Sequence, residues 1–173
     1  MTDADEAAYF DRHDMPVDAA RAYESALNDA GASLELYLSL AVLYFQCVDG
    51  GYLAHHQLPV EFVDQAWRRA NEVLTEAEHR FGGDAEIEFW RHYFRFIVLG
   101  AAPFYRVCEE LARTSSSLTP YLHLLSSADG EEYREKAEQL LKEVEDGATV
   151  RKRYIKSVLE SGLRALNMRR HMG

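Results

Sequence analysis

Apolar positions recur at three- and four-residue intervals along almost the whole chain, and no stretch alternates with period two long enough to make a strand. The pattern predicts an all-α protein. Thr2 or Asp3 caps a first helix running to about His13. Pro16 opens a second, with Val17, Ala20, Tyr23, Leu27 and Ala30 on one face and Gly31 as its stop. Ser33 begins a third over 34–48, apolar nearly all round, which marks an element packed on several sides. Asp49, Gly50 and Gly51 end it, and an irregular insertion loop over 49–58 follows. Pro59 then opens a long fourth helix whose stripe is Val63, Ala66, Trp67, Ala70, Leu74, Ala77 and Phe81, stopped by Gly82 and Gly83.

In the second half, Asp84 caps a fifth helix, another heavily apolar element, with Ile87, Phe89, Trp90, Tyr93, Phe94, Ile97 and Val98. Gly100 and Pro103 divide it from a sixth with Phe104, Val107, Cys108 and Leu111. A loop over 114–117 and a short apolar turn from Thr119 and Pro120 to Leu125 lead to a helix over 131–146. That helix turns Tyr133, Ala137, Leu140, Leu141 and Val144 to the core. Gly147 reverses the chain, and Thr149 caps a basic C-terminal helix over 149–173, lined by Val150, Tyr154, Ile155, Val158, Leu159 and Leu166. A length of 173 residues suits one all-helical domain with a real core and is short for two.

Within this pattern Tyr37-x₂-Leu40-Ala41-x₂-Tyr44 has an echo 34 residues upstream, where Ala7 and Phe10 precede Ala41 and Tyr44. Ala19-x₃-Tyr23-x₂-Ala26-Leu27 fills the gap between them. An aromatic, a Leu-small pair and a second aromatic on one helix, then small-x₃-aromatic on the next, resembles the tetratricopeptide repeat. The match is best over 1–48 and degrades beyond Tyr44, where Ala66-x₃-Ala70 arrives 13 residues late. Trp90-x₂-Tyr93-Phe94-x₂-Ile97 could found a third unit, but with aromatics in place of the Leu-small pair. An irregular helical bundle is the other architecture these residues allow.

The resemblance implies stacked antiparallel hairpins with a concave groove lined by the first helix of each unit, gripping a peptide or protein partner. Carried onto this chain, it puts Ser39, Val42 and Gln46 on the groove side of the third helix and Arg91, His92 and Arg95 on that of the fifth. Arg91 and Arg95 lie one helical turn apart, so both guanidinium groups can converge on one anion, such as a carboxylate of an acidic peptide. The plainer reading pairs them with Glu88, Glu109 or Glu110. Exposed aromatics on an unfinished terminal hairpin would favour a homodimer.

Charge sharpens the choice of partner. Residues 1–150 carry 12 Lys+Arg against 28 Asp+Glu, a net of −16, whereas 151–173 carry 7 against 1, a net of +6. An acidic body argues against nucleic acid, whose phosphates need clustered cations. The basic cluster at Arg151, Lys152 and Arg153 opens a helix, where the macrodipole disfavours cations, and Glu143, Glu145 and Asp146 close the preceding one, where it disfavours anions. A hairpin about Gly147 lets the two clusters compensate, leaving Arg164, Arg169 and Arg170 to lie on the acidic body. An acidic inhibitor or immunity-type protein masking a basic surface is a second functional class.

Candidate chemistry is sparse. There is no G-x-S-x-G, no phosphate-cradling glycine loop and no H-E-x-x-H. His55 and His56 sit in the insertion near Asp49, but no H-x₃-H or cysteine pair accompanies them, so no metal is assigned. Glu76-x₂-His79 is half of a di-iron pattern, and no other histidine follows a carboxylate by three residues. The expectation is a non-catalytic protein without cofactor, with a helical-bundle enzyme or metalloprotein as the remaining class. Cys47 and Cys108 read as buried reduced thiols. The acidic N-terminus is neither a secretory signal nor a transit peptide, and the apolar run over 94–105 is too short and interrupted to span a bilayer. Together these place the chain in the cytoplasm, away from membranes.

Overall fold

A computed structural model describes residues 2–172, with side chains to residue 169; the side chain of Arg170 lies outside the described residues. The protein is all-α. Among the described residues there are ten α-helices, one 3₁₀ turn and no strand. The chain divides into two compact units, Met1–Ile87 with Ala148–Arg151, and Glu88–Gly147 with Lys152–Gly173.

The first unit opens with α1 (Asp3–Arg12), whose cap is the predicted Thr2: its Oγ1 accepts from Asp5 N at 3.2 Å while Asp5 Oδ2 accepts from Thr2 N at 2.9 Å. Pro16 occupies the first position of α2 (Pro16–Leu27), where its missing N–H is no loss. α1 packs along α2 as a hairpin. Ala7, Ala19, Ala20 and Ala26 are buried, and their small side chains let the two backbones approach closely. α3 (Leu34–Gln46) is buried without a break from Tyr37 to Phe45, the enclosure its apolar circumference predicts. It packs along α5 (Val60–Phe81) and against α2. The inward stripe of α5 is Ala66, Ala70, Val73, Leu74 and Ala77, and Phe81 at its end is exposed.

Between α3 and α5 the structure corrects the sequence reading. Residues 50–56 are not an irregular loop but a helix, α4 (Gly50–His56). Two glycines at its start disfavour a helix by propensity. The side chain of Asp49 offsets this by accepting from Tyr52 N at 2.9 Å. Gln57 ends the helix in the left-handed conformation, φ 50°.

Two further helices begin in the first unit or end there. α6 (Ala85–Leu99) starts before Ile87, behind Asp84, whose Oδ1 accepts from Glu86 N at 2.8 Å. The first two residues of α10 (Val150–Met172) also belong to the first unit. There Asp11, only 2% exposed, accepts from Val150 N at 3.0 Å and from the Tyr23 hydroxyl at 2.6 Å. Arg151 bonds Glu35 at 2.6 Å and Glu86 at 3.2 Å rather than the carboxylates of the preceding helix.

The second unit holds the body of α6, then α7 (Tyr105–Thr114), the short α8 (Tyr121–Leu124), a 3₁₀ turn (Gly130–Tyr133), α9 (Arg134–Glu143) and the rest of α10. Its core is aromatic. Phe89, Trp90, Tyr93 and Phe94 are buried, and Phe104 packs on Phe89 with centroids 5.8 Å apart. Ile97 and Val98 are 47% and 37% exposed. Gly100, at φ 63°, breaks the helix, and Phe104 folds back on Phe89, Tyr93 and Phe96, so Ile97 and Val98 face away from this cluster. At Gly147 the expected charge compensation is partial. Lys152 Nζ pairs with Asp146 at 2.9 Å, and Lys156 Nζ donates to the Glu145 carbonyl at 3.2 Å.

Candidate functional site

Two places in the first unit gather polar side chains from several elements. The first is a cleft of ≈ 500 Å³ where α2, α3 and α5 meet. Glu24 reaches it from α2, Tyr44 from α3, and Phe62, Gln65 and Arg69 from α5. Tyr44 and Phe62 form its aromatic wall, with ring centroids 5.7 Å apart. Arg69 holds both oxygens of Glu24 at 2.7 Å and Glu76 at 2.7 Å. The Tyr44 hydroxyl donates to Glu24 Oε1 at 2.9 Å. Burial, with the Glu24 carboxylate beside it, holds the Tyr44 phenol well above its ordinary range, so it stays a neutral donor. Glu61 stands exposed at the rim. With Arg69 committed to carboxylates, the cleft offers an apolar floor and an acidic edge.

The second gathering is at the ends of α1 and α4. Asp14, at φ 59° in the turn after α1, faces His55 and His56 in the last turn of α4. His56 Nε2 lies 3.7 Å from Asp14 Oδ2, and one ligand atom from each of the three residues falls within 4.8 Å of the others. Asp49, the carboxylate near these histidines in sequence, is instead the cap of α4.

The residues expected to line a groove are placed differently. Ser39 and Val42 are 1% and 0% exposed. Because α3 is enclosed on all sides, neither presents a surface to a partner, and the Ser39 hydroxyl donates to Glu35 Oε1 at 3.2 Å. Gln46, the last residue of α3, is half-buried. In the second unit Arg91 and His92 are half-buried and Arg95 is exposed, with the His92 ring stacked on Phe104 at 5.4 Å. Two of the carboxylates considered for the arginines are engaged elsewhere. Glu110 takes Arg113 at 2.6 Å, and Glu109 accepts from the Tyr133 hydroxyl at 3.1 Å.

Several other candidate groups are paired or buried. Glu76 of the half di-iron pattern is held by Arg69. Cys47 and Cys108 are buried free thiols, and burial pushes each up to about 12. Both are therefore protonated and poorly nucleophilic at neutral pH. His123, 2% exposed, accepts from Phe104 N at 3.3 Å between the rings of Phe104 and Tyr105, a packing role. Among the described residues no single helix is long and apolar enough to cross a membrane. Compared with protein-family models, with curated proteins and with solved structures, the chain matches none.

Sequence reasoning singled out His55 and His56 but not Asp14, and it missed the cleft of Glu24 and Arg69. Glu24 and Arg69 are 45 residues apart and Asp14 is 41 before His55, so no local spacing joins them. The available signal was the length of the α3–α5 connection, since long connections in compact domains are often functional.

Proposed function

We propose that this chain is a cytoplasmic, non-catalytic adaptor of the tetratricopeptide-like kind, holding a basic peptide segment of a partner protein against its first unit. The cleft at Tyr44 and Phe62 carries the proposal. An aromatic wall with a carboxylate rim suits the long apolar stem and cationic head of Lys or Arg. The charge of the unit supports the same partner, for it holds 17 Asp+Glu against 6 Lys+Arg, a net of −11. Two hairpins, α1 with α2 and α3 with α5, joined through α2 and α3 over small residues, support the repeat-like reading. The acidic-partner reading rests on Arg91, which is half-buried, and Arg95, which is exposed.

A peptide array probed with the whole chain tests this. Enrichment of Lys- or Arg-bearing peptides, lost in Glu61→Lys and in Phe62→Ala, is the expected result. Enrichment of acidic peptides, lost in an Arg91→Glu, Arg95→Glu double variant, would overturn the cleft and move the site to α6. No enrichment at low salt would overturn the adaptor reading itself. The masking of a basic protein surface by the same carboxylates is a second reading, favoured by the net charge alone. It differs in its steep salt dependence spread over many acidic residues rather than focused on Glu61 and Phe62.

A further inference from the structure

We propose that Asp14, His55 and His56 form a binding site for a divalent transition cation of the zinc type, clasping the α1–α2 turn to the end of α4. Two imidazoles and one carboxylate are the donor set that Zn²⁺ and its neighbours prefer, and three protein ligands leave the fourth position to water or to a partner's side chain. His55 and His56 are neighbours in sequence, whereas Asp14 comes from a separate element and is brought to them by the fold. Their ligand atoms lie within 4.8 Å of one another. A tetrahedral ion with bonds of about 2.0–2.1 Å sets its ligands roughly 3.3 Å apart. Asp14 and His56 are already at 3.7 Å, and the exposed His55 closes the remainder by side-chain rotation.

Packing favours a fixed first pair and an adjustable third ligand. The imidazole of His56 is 9% exposed and lies against the Tyr52 ring at 4.2 Å. Its approach to His55 is edge to face, with centroids 4.8 Å apart and planes at 89°, so the two rings are not stacked away from a shared point. The two left-handed non-glycine residues among those described are Asp14, a member of the cluster, and Gln57, next to His56 in sequence. Such conformations persist only where the surroundings hold them. His13, next to Asp14 in sequence, lies outside the cluster, and its Nδ1–H donates to the Tyr9 carbonyl at 2.7 Å.

The untagged chain titrated with Co²⁺, then with competing Zn²⁺, tests the site. One equivalent of Co²⁺ should bind with the intense visible absorption of a four-coordinate ion, be displaced by Zn²⁺, and raise the melting temperature as the ion is added. Asp14→Asn suits the left-handed backbone and keeps the size of the side chain, and His55→Ala alters an exposed residue, so both should fold as the parent does. Each should weaken binding at least tenfold. Binding no tighter than millimolar, or equal binding by parent and both variants, would reduce the cluster to a simple His56–Asp14 pair and overturn the proposal.

Discussion

Arg69 donates from Nε and Nη2 to the two carboxylate oxygens of Glu24, each at 2.7 Å, and so fastens α5 to α2 across the head of the cleft. Its Nη1 also reaches Glu76 at 2.7 Å and Glu72 at 3.3 Å. One cation therefore answers three carboxylates, and the Glu24 bonds raise its pKa above the ordinary arginine range. Removing the cation should cost more than removing one anion. Arg69→Ala removes the cation from Glu24 and Glu76, while Glu72 keeps Arg68 at 3.9 Å, and is expected to lose about 2 kcal/mol in urea unfolding, less than a fully buried pair because both carboxylates are partly solvated. Glu24→Gln keeps hydrogen-bonding capacity and should lose about 1 kcal/mol. Equal and negligible losses would show that the fork is idle.

Acid should weaken the second unit through His123. Burial lowers its pKa from 6.5 to about 4, and the Phe104 N–H can be accepted only by the unprotonated nitrogen. The unfolded chain thus takes up the proton first. Stability from this residue is complete above about pH 6.5 and is lost as pH falls toward 4, by about 3 kcal/mol. His123→Gln keeps an acceptor and removes the titration, so its stability should be flatter across that interval. The same slope in variant and parent would place the proton uptake elsewhere.

Neither thiol should react in the native protein. At pH 8 a disulfide reagent is expected to find almost no thiol in the folded chain and both Cys47 and Cys108 after denaturation, because both are 0% exposed. Rapid modification of one of them in the native state would mean that its helix opens locally.

Two glycines facing the same leucine should answer alanine differently. A Cβ on Gly130 would collide with the Leu125 carbonyl oxygen, a backbone atom that cannot yield without moving the turn. On Gly162 it would meet only the end of the Leu125 side chain, at 2.8 Å, and alanine also gains about 0.5–1 kcal/mol of helix propensity there. Gly130→Ala should lower the melting temperature sharply and Gly162→Ala by little. A reversed order would show that the 3₁₀ turn is the softer side.

Much of the fold was legible. The circumference of α3, the stripe of α5, Pro16 at a helix start and Gly147 at a reversal are local signals, and local periodicity is what a sequence displays most directly. α4 was hidden because Gly50 and Gly51 read as a stop while Asp49 was capping the next turn. Ile97 and Val98 belong to the apolar run of α6, but periodicity does not record that Phe104 packs on the side of Phe89, Tyr93 and Phe96 and leaves those two exposed. The site residues fared worse for a related reason. Ser39 and Val42 lie on a helix that has no outward face, and Glu24 with Arg69, or Asp14 with His56, meet only after the hairpins have stacked.

The contact of Asp11 with Val150 ties together residues 139 positions apart. A ribosome releases the N-terminal helices first, so α1 to α5 emerge long before the backbone amide that Asp11 requires. Until Val150 and Arg151 arrive, Asp11 lacks one of its donors, and Glu35 and Glu86 lack a shared cation. The first unit in space is thus among the last to be finished in time. A nascent chain stalled before Ala148 should hold its opening hairpins in a looser, protease-sensitive form than the released protein.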